Sequence, residues 1–260
     1  MTSRTANSFG FEWSKFNDIF PEYEDNFLSY INPLSKDFFR GKIVLDAGCG
    51  AGRHAYFAAK WGADVTAFDY SVGAMRTARR NTEVGTHVNV IWANIYDMPT
   101  LWTGKFDIVM CIGVLHHLPD PEGGFRKLVE CLRPGGTIVV WVYGKKDNRM
   151  AMYLYDPIRK LTTRIPHPIL YWLVLPLAVV VELANRLRLP IFRYYREFPF
   201  RTKWNDAFDV FSAPSARYYD LNDIQGWFER AGLDDIVVHH RMLGEVAKGV
   251  VGVGVKQQEV

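Results

Sequence analysis

Residues 42–143 alternate short β-branched runs with helix-forming stretches, and this alternation restricts the chain to a parallel sheet more firmly than anything else it carries. The runs are KIVLDA, ADVTAFD, VNVIW, FDIVMCIGV and GGTIVVWVY; between them stand RHAYFAAKWG, VGAMRTARRN and EGGFRKLVECLRPG. A strand that reaches the next through a helix does so by a right-handed crossover, which buries the sheet on both faces. Val44, Leu45, Val109 and Met110 are therefore core positions. Ser71 reads as the N-cap of the helix after the second strand, and Gly62 as the residue that ends the helix before it.

The flanks differ in character. Residues 1–40 are rich in aromatics, and Tyr23, Phe27, Tyr30 and Ile31 recur at helical spacing, which predicts a helical cap laid over the core. Residues 41–144 and 216–260 belong to the sheet domain. In the second of these segments Asp220 predicts an N-cap with Asp223 three positions on. Ile224, Trp227 and Phe228 then share a helix face, Gly232 stops the helix, and KGVVGVGVKQ makes a last strand. Residues 145–215 form an insertion of another kind. Over 145–203 twelve Lys or Arg stand against four Asp or Glu, in a chain whose whole net charge is +3. So small a total gives no support for nucleic acid as a partner. Every residue across 169–181 is apolar or Pro176, yet a helix from 169 to 184 is about 24 Å long, short of the ~30 Å hydrocarbon core, and Glu182 interrupts it. The expectation is a helix that does not cross a bilayer. Two readings stand open: a buried lid over the site, or an element lying in the membrane interface with its cations toward anionic headgroups.

VLDAGCGAGRHA, residues 44–55, narrows the ligand. Gly48, Gly50 and Gly52 remove side-chain bulk where a strand turns into a helix, so a ligand can approach the backbone closely. Asp69 ends the second strand, where a carboxylate takes both hydroxyls of a ribose. A dinucleotide fingerprint needs a third glycine at position 53, but that residue is Arg53. Asp46 would repel a pyrophosphate and would suit a cationic amino group. S-adenosylmethionine carries adenosine, an ammonium and a sulfonium, and no phosphate, so it fits better than NAD.

VLDAGCGAGR, AFDYS, ANIYDMP, FDIVMCIGVLHHLPDP, LRPGGTIVV and WFERAGLDDI, in that order, resemble the motifs of class I S-adenosylmethionine-dependent methyltransferases of the small-molecule type that includes the quinone and sterol enzymes. The resemblance implies a Rossmann-like α/β fold: a mostly parallel seven-stranded sheet with helices on both faces, and here a helical insertion after the fifth strand. It also implies site roles. Gly48, Cys49 and Gly50 line the methionine portion, with Asp46 toward the amino group; Asp69 binds the ribose and Tyr70 flanks the adenine. Asn94 stands where the family often has an aspartate that accepts from the adenine amino group, a bond an amide oxygen can also accept. Ile95 packs on the ring, and Cys111, Ile112 and Gly113 close the methionine end. The resemblance implies transfer to a small acceptor, and the aromatic and basic residues of the insertion point to a hydrophobic or lipid-linked one.

His116 and His117 follow the fourth strand at the switch-point crevice, and either is a candidate base if the acceptor must lose a proton. Packing or orienting roles remain open for both. His239 and His240, on a late strand, read as structural. The cysteines Cys49, Cys111 and Cys131 show neither disulfide nor metal-ligand spacing, so no metal is expected, and the first residues lack an apolar signal segment. A cytoplasmic protein, peripheral at the inner membrane surface if the insertion lies there, is the expectation. Competing functions are an NAD-dependent oxidoreductase, a non-catalytic nucleotide-binding module at a membrane surface, and an RNA methyltransferase, for which the basic insertion is the only support.

Overall fold

The computed structural model describes residues 3–83, 85–148, 151–189, 195–196, 198–213, 216–243 and 246–258. Part of the insertion, 149–150, 190–194, 197 and its end at 214–215, lies outside the described residues. In chain order the helices are α1 (Ser3–Lys15), α2 (Glu22–Ile31), α3 (Arg53–Lys60), α4 (Val72–Thr82), α5 (Pro121–Glu130), α6 (Asp156–Thr162), α7 (His167–Leu173), α8 (Leu175–Arg186), α9 (Phe200–Ser212) and α10 (Leu221–Arg230).

The β-branched runs become β1 (Ile43–Ala47), β2 (Asp64–Asp69), β3 (Val88–Trp92), β4 (Phe106–Ile112) and β5 (Leu132–Val142), all parallel. β6 (Leu233–Leu243) and β7 (Val246–Lys256) close the chain as an antiparallel hairpin, with β7 antiparallel to β5 as well. The order is β3-β2-β1-β4-β5-β7-β6, a seven-stranded, mostly parallel Rossmann-like sheet. Strand order reverses between β1 and β4, and the crevice at their carboxyl ends is the switch point where ligands bind in such sheets.

Alternate residues of each central strand feed opposite cores. Ile108, Met110 and Ile112 of β4 join Phe27, Phe57 and Met75 under α2, α3 and α4. Val109 and Cys111 join Phe125, Leu128, Trp227 and Phe228 under α5 and α10. Both sets are nearly solvent-free, and each aromatic so buried contributes about 2–3 kcal/mol. β7 follows the same logic: a Cβ at Gly252 would fall 2.7 Å from the Phe228 ring, so the glycine makes room for that ring.

Caps fix the helix ends that aim these elements. Ser71 Oγ accepts from Ala74 N at 3.4 Å, Asp220 and Asp223 close a reciprocal capping box on α10, and Gly62 takes φ +96° after α3. The aromatic N-terminal segment forms two helices rather than one. Tyr23, Phe27 and Ile31 of α2 face the sheet core, while α1 packs on α4 and α9.

α6 to α9 stand after β5. Pro176 sits in the first turn of α8, at the break from α7. Leu170, Val174, Ala178, Val181 and Ala184 form the buried stripe of the α7–α8 pair, with Leu170 and Val174 against Phe16 and Phe208. Most of the rest is exposed. His167–Arg186 is 20 residues, long and apolar enough by length and composition to cross a membrane, a longer helix than the 169–184 count allowed.

Candidate active site

One cavity of about 1190 Å³ opens at the carboxyl ends of β1, β2 and β4 and runs on beneath α1 and α9. Gly48, Cys49, Gly50, Asp69, Tyr70, Asn94, Ile95, Ile112 and His117 all line it. Asp46, Gly52, Cys111 and His116 do not. Asp46 and Cys111 are buried in their strands, and Gly52 packs at φ +78° against Ala78 and Thr82 of α4.

The loop after β1 is built without side chains for two separate reasons. At Gly48, φ +76°, a Cβ would strike Val114 at 2.5 Å; at Gly50, φ +55°, it would meet the Trp13 ring at 2.9 Å. Its N–H groups are already engaged. Gly48 N and Cys49 N donate to Phe68 O at 2.8 and 3.0 Å, Gly52 N donates to Cys49 O at 2.8 Å, and Gly50 N donates to Asp69 Oδ2 at 3.0 Å. A loop whose donors are turned inward is poorly made for a phosphate, and the structure here departs from the expectation of N–H groups offered to a ligand. Arg53, at the third fingerprint position, lies over Tyr23 at 4.3 Å and Trp13 at 5.0 Å.

The residues fit S-adenosylmethionine on two observations. Asp46 is 1% exposed, its Oδ2 has no hydrogen-bond partner, and burial pushes its carboxyl up to about 7 against a backbone bond from Ala55. An ammonium group would satisfy such an oxygen. Asp69 Oδ1 accepts from Ser71 N at 2.7 Å, and each of its oxygens keeps a lone pair for a ribose hydroxyl. Burial raises this carboxyl too, while its backbone bonds hold it down. Tyr70 lies beside Trp92, centroids 5.6 Å apart, and Asn94 Oδ1 accepts from Tyr96 N at 3.2 Å with one lone pair left over.

The two histidines diverge. His116 stacks on Tyr143 at 3.9 Å, neither ring nitrogen has a hydrogen-bond partner, and burial holds its pKa well below the usual value. His117 lines the cavity, edge-on to Phe9 at 5.1 Å and to Tyr143 at 5.7 Å. His239 Nε2 meets Asn32 O at 2.9 Å, outside the cavity.

Beyond His117 polar side chains join apolar ones in the cavity wall. Glu12, Asn205, Asp206 and Asp209 line it, and Tyr143 donates to Asp209 Oδ2 at 3.1 Å. Glu12 is 1% exposed and its Oε2 is without a partner; burial, then the charge of Asp209, raises its carboxyl well above the usual range. Burial pushes Asp206 up to about 6. Sequence reasoning did not find these residues. A signal existed for Glu12: Thr5, Ser8 and Glu12, polar and spaced three and four apart, occupy the buried face of α1 where an amphipathic helix carries apolar residues.

Similarity to known proteins agrees with this geometry. The methyltransferase domain family matches residues 45–140. The chain is 34% identical over 146 residues to the ubiquinone biosynthesis O-methyltransferase of Chromobacterium violaceum, covering 54% of this chain and 59% of that protein. To the enzyme of the same name from Erwinia tasmaniensis it is 30% identical over 166 residues, covering 60% and 68%. The chain thus spans a little under three fifths of the first of these relatives and just over two thirds of the second. Among solved structures, magnesium protoporphyrin IX methyltransferase from Synechocystis PCC 6803 with bound SAH aligns at TM-score 0.51 and 16% identity over 84% of this chain and 76% of that one. A putative methyltransferase solved in complex with the Haloferax volcanii Trm112 activator aligns at 0.56 and 14% over 98% and 95%. With the glycine loop, Asp69 and the sheet order in place beside these likenesses, the chain belongs to the class I S-adenosylmethionine-dependent methyltransferases.

Proposed function

We propose that this chain transfers the methyl group of S-adenosylmethionine to a hydroxyl oxygen of a small lipophilic acceptor, of the phenolic kind that a quinone precursor represents. The observation that carries the reading is the continuity of the cavity, which joins the Gly48, Asp69 and Asn94 end to a second compartment lined by His117, Tyr143, Glu12 and Asp206. That second compartment has carboxylate and amide oxygens able to accept from hydroxyl groups, which favours an oxygen-bearing reacting end. Leu177 and Val181 of α8 line the same cavity and favour an apolar remainder. The O-methyltransferase names of the relatives point the same way.

When bound, S-adenosylmethionine supplies a methyl group on a positively charged sulfur, open to in-line attack by the acceptor oxygen. Asp69 would hold the ribose of the donor, Asp46, behind the cavity lining, would meet its ammonium through water, and Tyr70 and Ile95 would flank its ring. His117, on the cavity wall, would receive the hydroxyl proton as the carbon–oxygen bond forms and the carbon–sulfur bond breaks to release the neutral thioether. His116, kept neutral by burial, backs Tyr143 and fixes the aromatic wall. Phe9 and Trp13 close the cavity from α1 and keep water from the transfer.

The test is incubation of the pure chain with isotopically labelled S-adenosylmethionine and either a lipid-soluble or a water-soluble cell extract, with mass analysis of the labelled product. An O-methylated lipid-soluble product is expected. Label only in water-soluble material would overturn the acceptor class, and cofactor binding without any transfer would leave a nucleotide-binding module. His117→Gln is expected to lower turnover about 100-fold with cofactor affinity unchanged, and unaltered turnover would return His117 to a packing role.

A further inference from the structure

The outward side of the α7–α8 pair is apolar where a soluble surface is polar. Ile169, Trp172, Leu173, Val180, Leu183 and Leu187 are all more than half exposed, at 53–73%. α6 and the turn before it add Tyr153 at 75% and Leu161 at 66%. Single exposed apolar residues are ordinary, but this many on two consecutive helices mark a surface that meets something apolar.

Three observations say what that is. The charges beside these residues are of one sign: Lys160, Arg164, Arg186 and Arg188 are exposed, while the carboxylates nearby, Asp156 and Glu182, are half-buried. Glu182 bridges Lys203 at 2.6 Å and Arg186 at 2.8 Å, and among the described residues Lys160, Arg164 and Arg188 form no ion pair. The helix pair is also tied down. The stripe of Leu170, Val174, Ala178, Val181 and Ala184 is buried along its length and α8 packs on α9, so the pair cannot leave the protein to cross a bilayer without exposing that stripe. Finally, Leu177 and Val181 of α8 line the cavity while Val180 and Leu183 of the same helix face outward, so one helix borders both the site and the apolar surface.

We propose that this face docks on an anionic lipid bilayer, with α7 and α8 lying in the interface plane, their exposed side chains in the headgroup–acyl boundary and the flanking cations against lipid phosphates. Trp172 sits as an interfacial anchor. The docked orientation sets the α8 edge of the cavity at the membrane surface, where a lipophilic molecule enters without crossing water. The inference is separate from the acceptor reading: a chain that binds vesicles yet methylates a water-soluble compound keeps this surface and loses that acceptor.

The experiment is flotation of the full chain with vesicles of phosphatidylcholine alone or mixed in equal parts with phosphatidylglycerol. The wild type is expected to float with the anionic vesicles, and at least tenfold less with the neutral ones or at high salt. Ile169→Glu/Leu183→Glu, both outside the cavity lining, is expected to lose flotation at least tenfold while circular dichroism and affinity for S-adenosylmethionine stay as in the wild type. Lys160→Gln/Arg164→Gln, which leaves the apolar face intact, is expected to lose the preference for anionic over neutral vesicles. Absence of wild-type flotation, or equal flotation of wild type and the Glu variant, would overturn the proposal. So would a stable dimer that the Glu variant dissociates, found without vesicle binding, since the face would then belong to a second copy of the chain.

Discussion

The sheet and the helical cover over its carboxyl edge differ in what they bury: beside an apolar cluster of its own, the cover buries many polar side chains. Between the sheet and its helices the interior is largely Phe, Leu, Ile and Val from alternate strand positions, with Asp46 and Asp69 buried near the strand tips. In the cover the interior holds Thr5, Ser8, Glu12, Asn185, Thr202, Lys203, Asn205 and Ser212, while Trp172, Leu173, Leu183 and Leu187 face outward. The sheet half stabilises the fold. The cover gives up part of that stabilisation to place polar side chains inside, toward the cavity, and apolar ones outside.

Substitutions test this contrast, the largest effect first. Phe228→Ala, in the sheet half against Phe125 at 4.8 Å, is expected to lower unfolding free energy by about 3–5 kcal/mol in denaturant titration. A loss below ~1 kcal/mol would show that this half is not the stabilising one. Asp69→Ala is expected to weaken S-adenosylmethionine about 100-fold or more in calorimetry, through loss of charge-assisted bonds to the ribose. An affinity equal to wild type would leave Asp69 a loop brace for Gly50 and Ser71.

The cover answers to pH. Asp206 titrates at about 6 in the folded chain against a usual 3.8, so the folded state holds a proton that the unfolded state has lost. Stability from this group is therefore full below the usual value and falls as pH rises through about 6, by roughly 2–3 kcal/mol. Asp206→Asn is expected to flatten that fall between pH 4 and 7 in thermal melts of the ligand-free chain; a melt profile unchanged by the substitution would remove the polar interior from the argument. The smallest effect belongs to the outer face: Leu183→Gln is expected to shift stability by less than ~0.5 kcal/mol. A loss of 2 kcal/mol would mean that the face is packed after all.

The two halves also differ in how far they could be read from the chain. β-branched runs between glycine and cap signals marked the strands, and Ser71, Gly62 and the Asp220 and Asp223 pair fell where they cap, because each acts through its neighbours in sequence. The glycine loop and Asp69 were legible for the same reason. The reversed direction of β7 was not foreseen from KGVVGVGVKQ, where an apolar run carries no sign of its partner's polarity. The second compartment was hidden because Glu12, Tyr143 and Asp206 come from three distant segments, and nothing local announces that α1 and α9 will meet over β5. In 169–181 the absence of polar residues removed the periodicity that separates a buried stripe from an exposed face. The adjacent His116 and His117 were indistinguishable until the turn after β4 sent one to the cavity and the other behind Tyr143.

Trp13 lies against Gly50 on a helix that Ser8 ties to Ser212 O at 3.0 Å and that meets α4 where Gly10 touches Gly73. A molecule sitting on that loop would lie under the indole, so exchange of a used donor for a fresh one is expected to depend on how α1 sits. Stopped-flow fluorescence of the chain, compared with a Trp13→Phe variant, would show whether movement of this short aromatic helix sets the pace of repeated cycles.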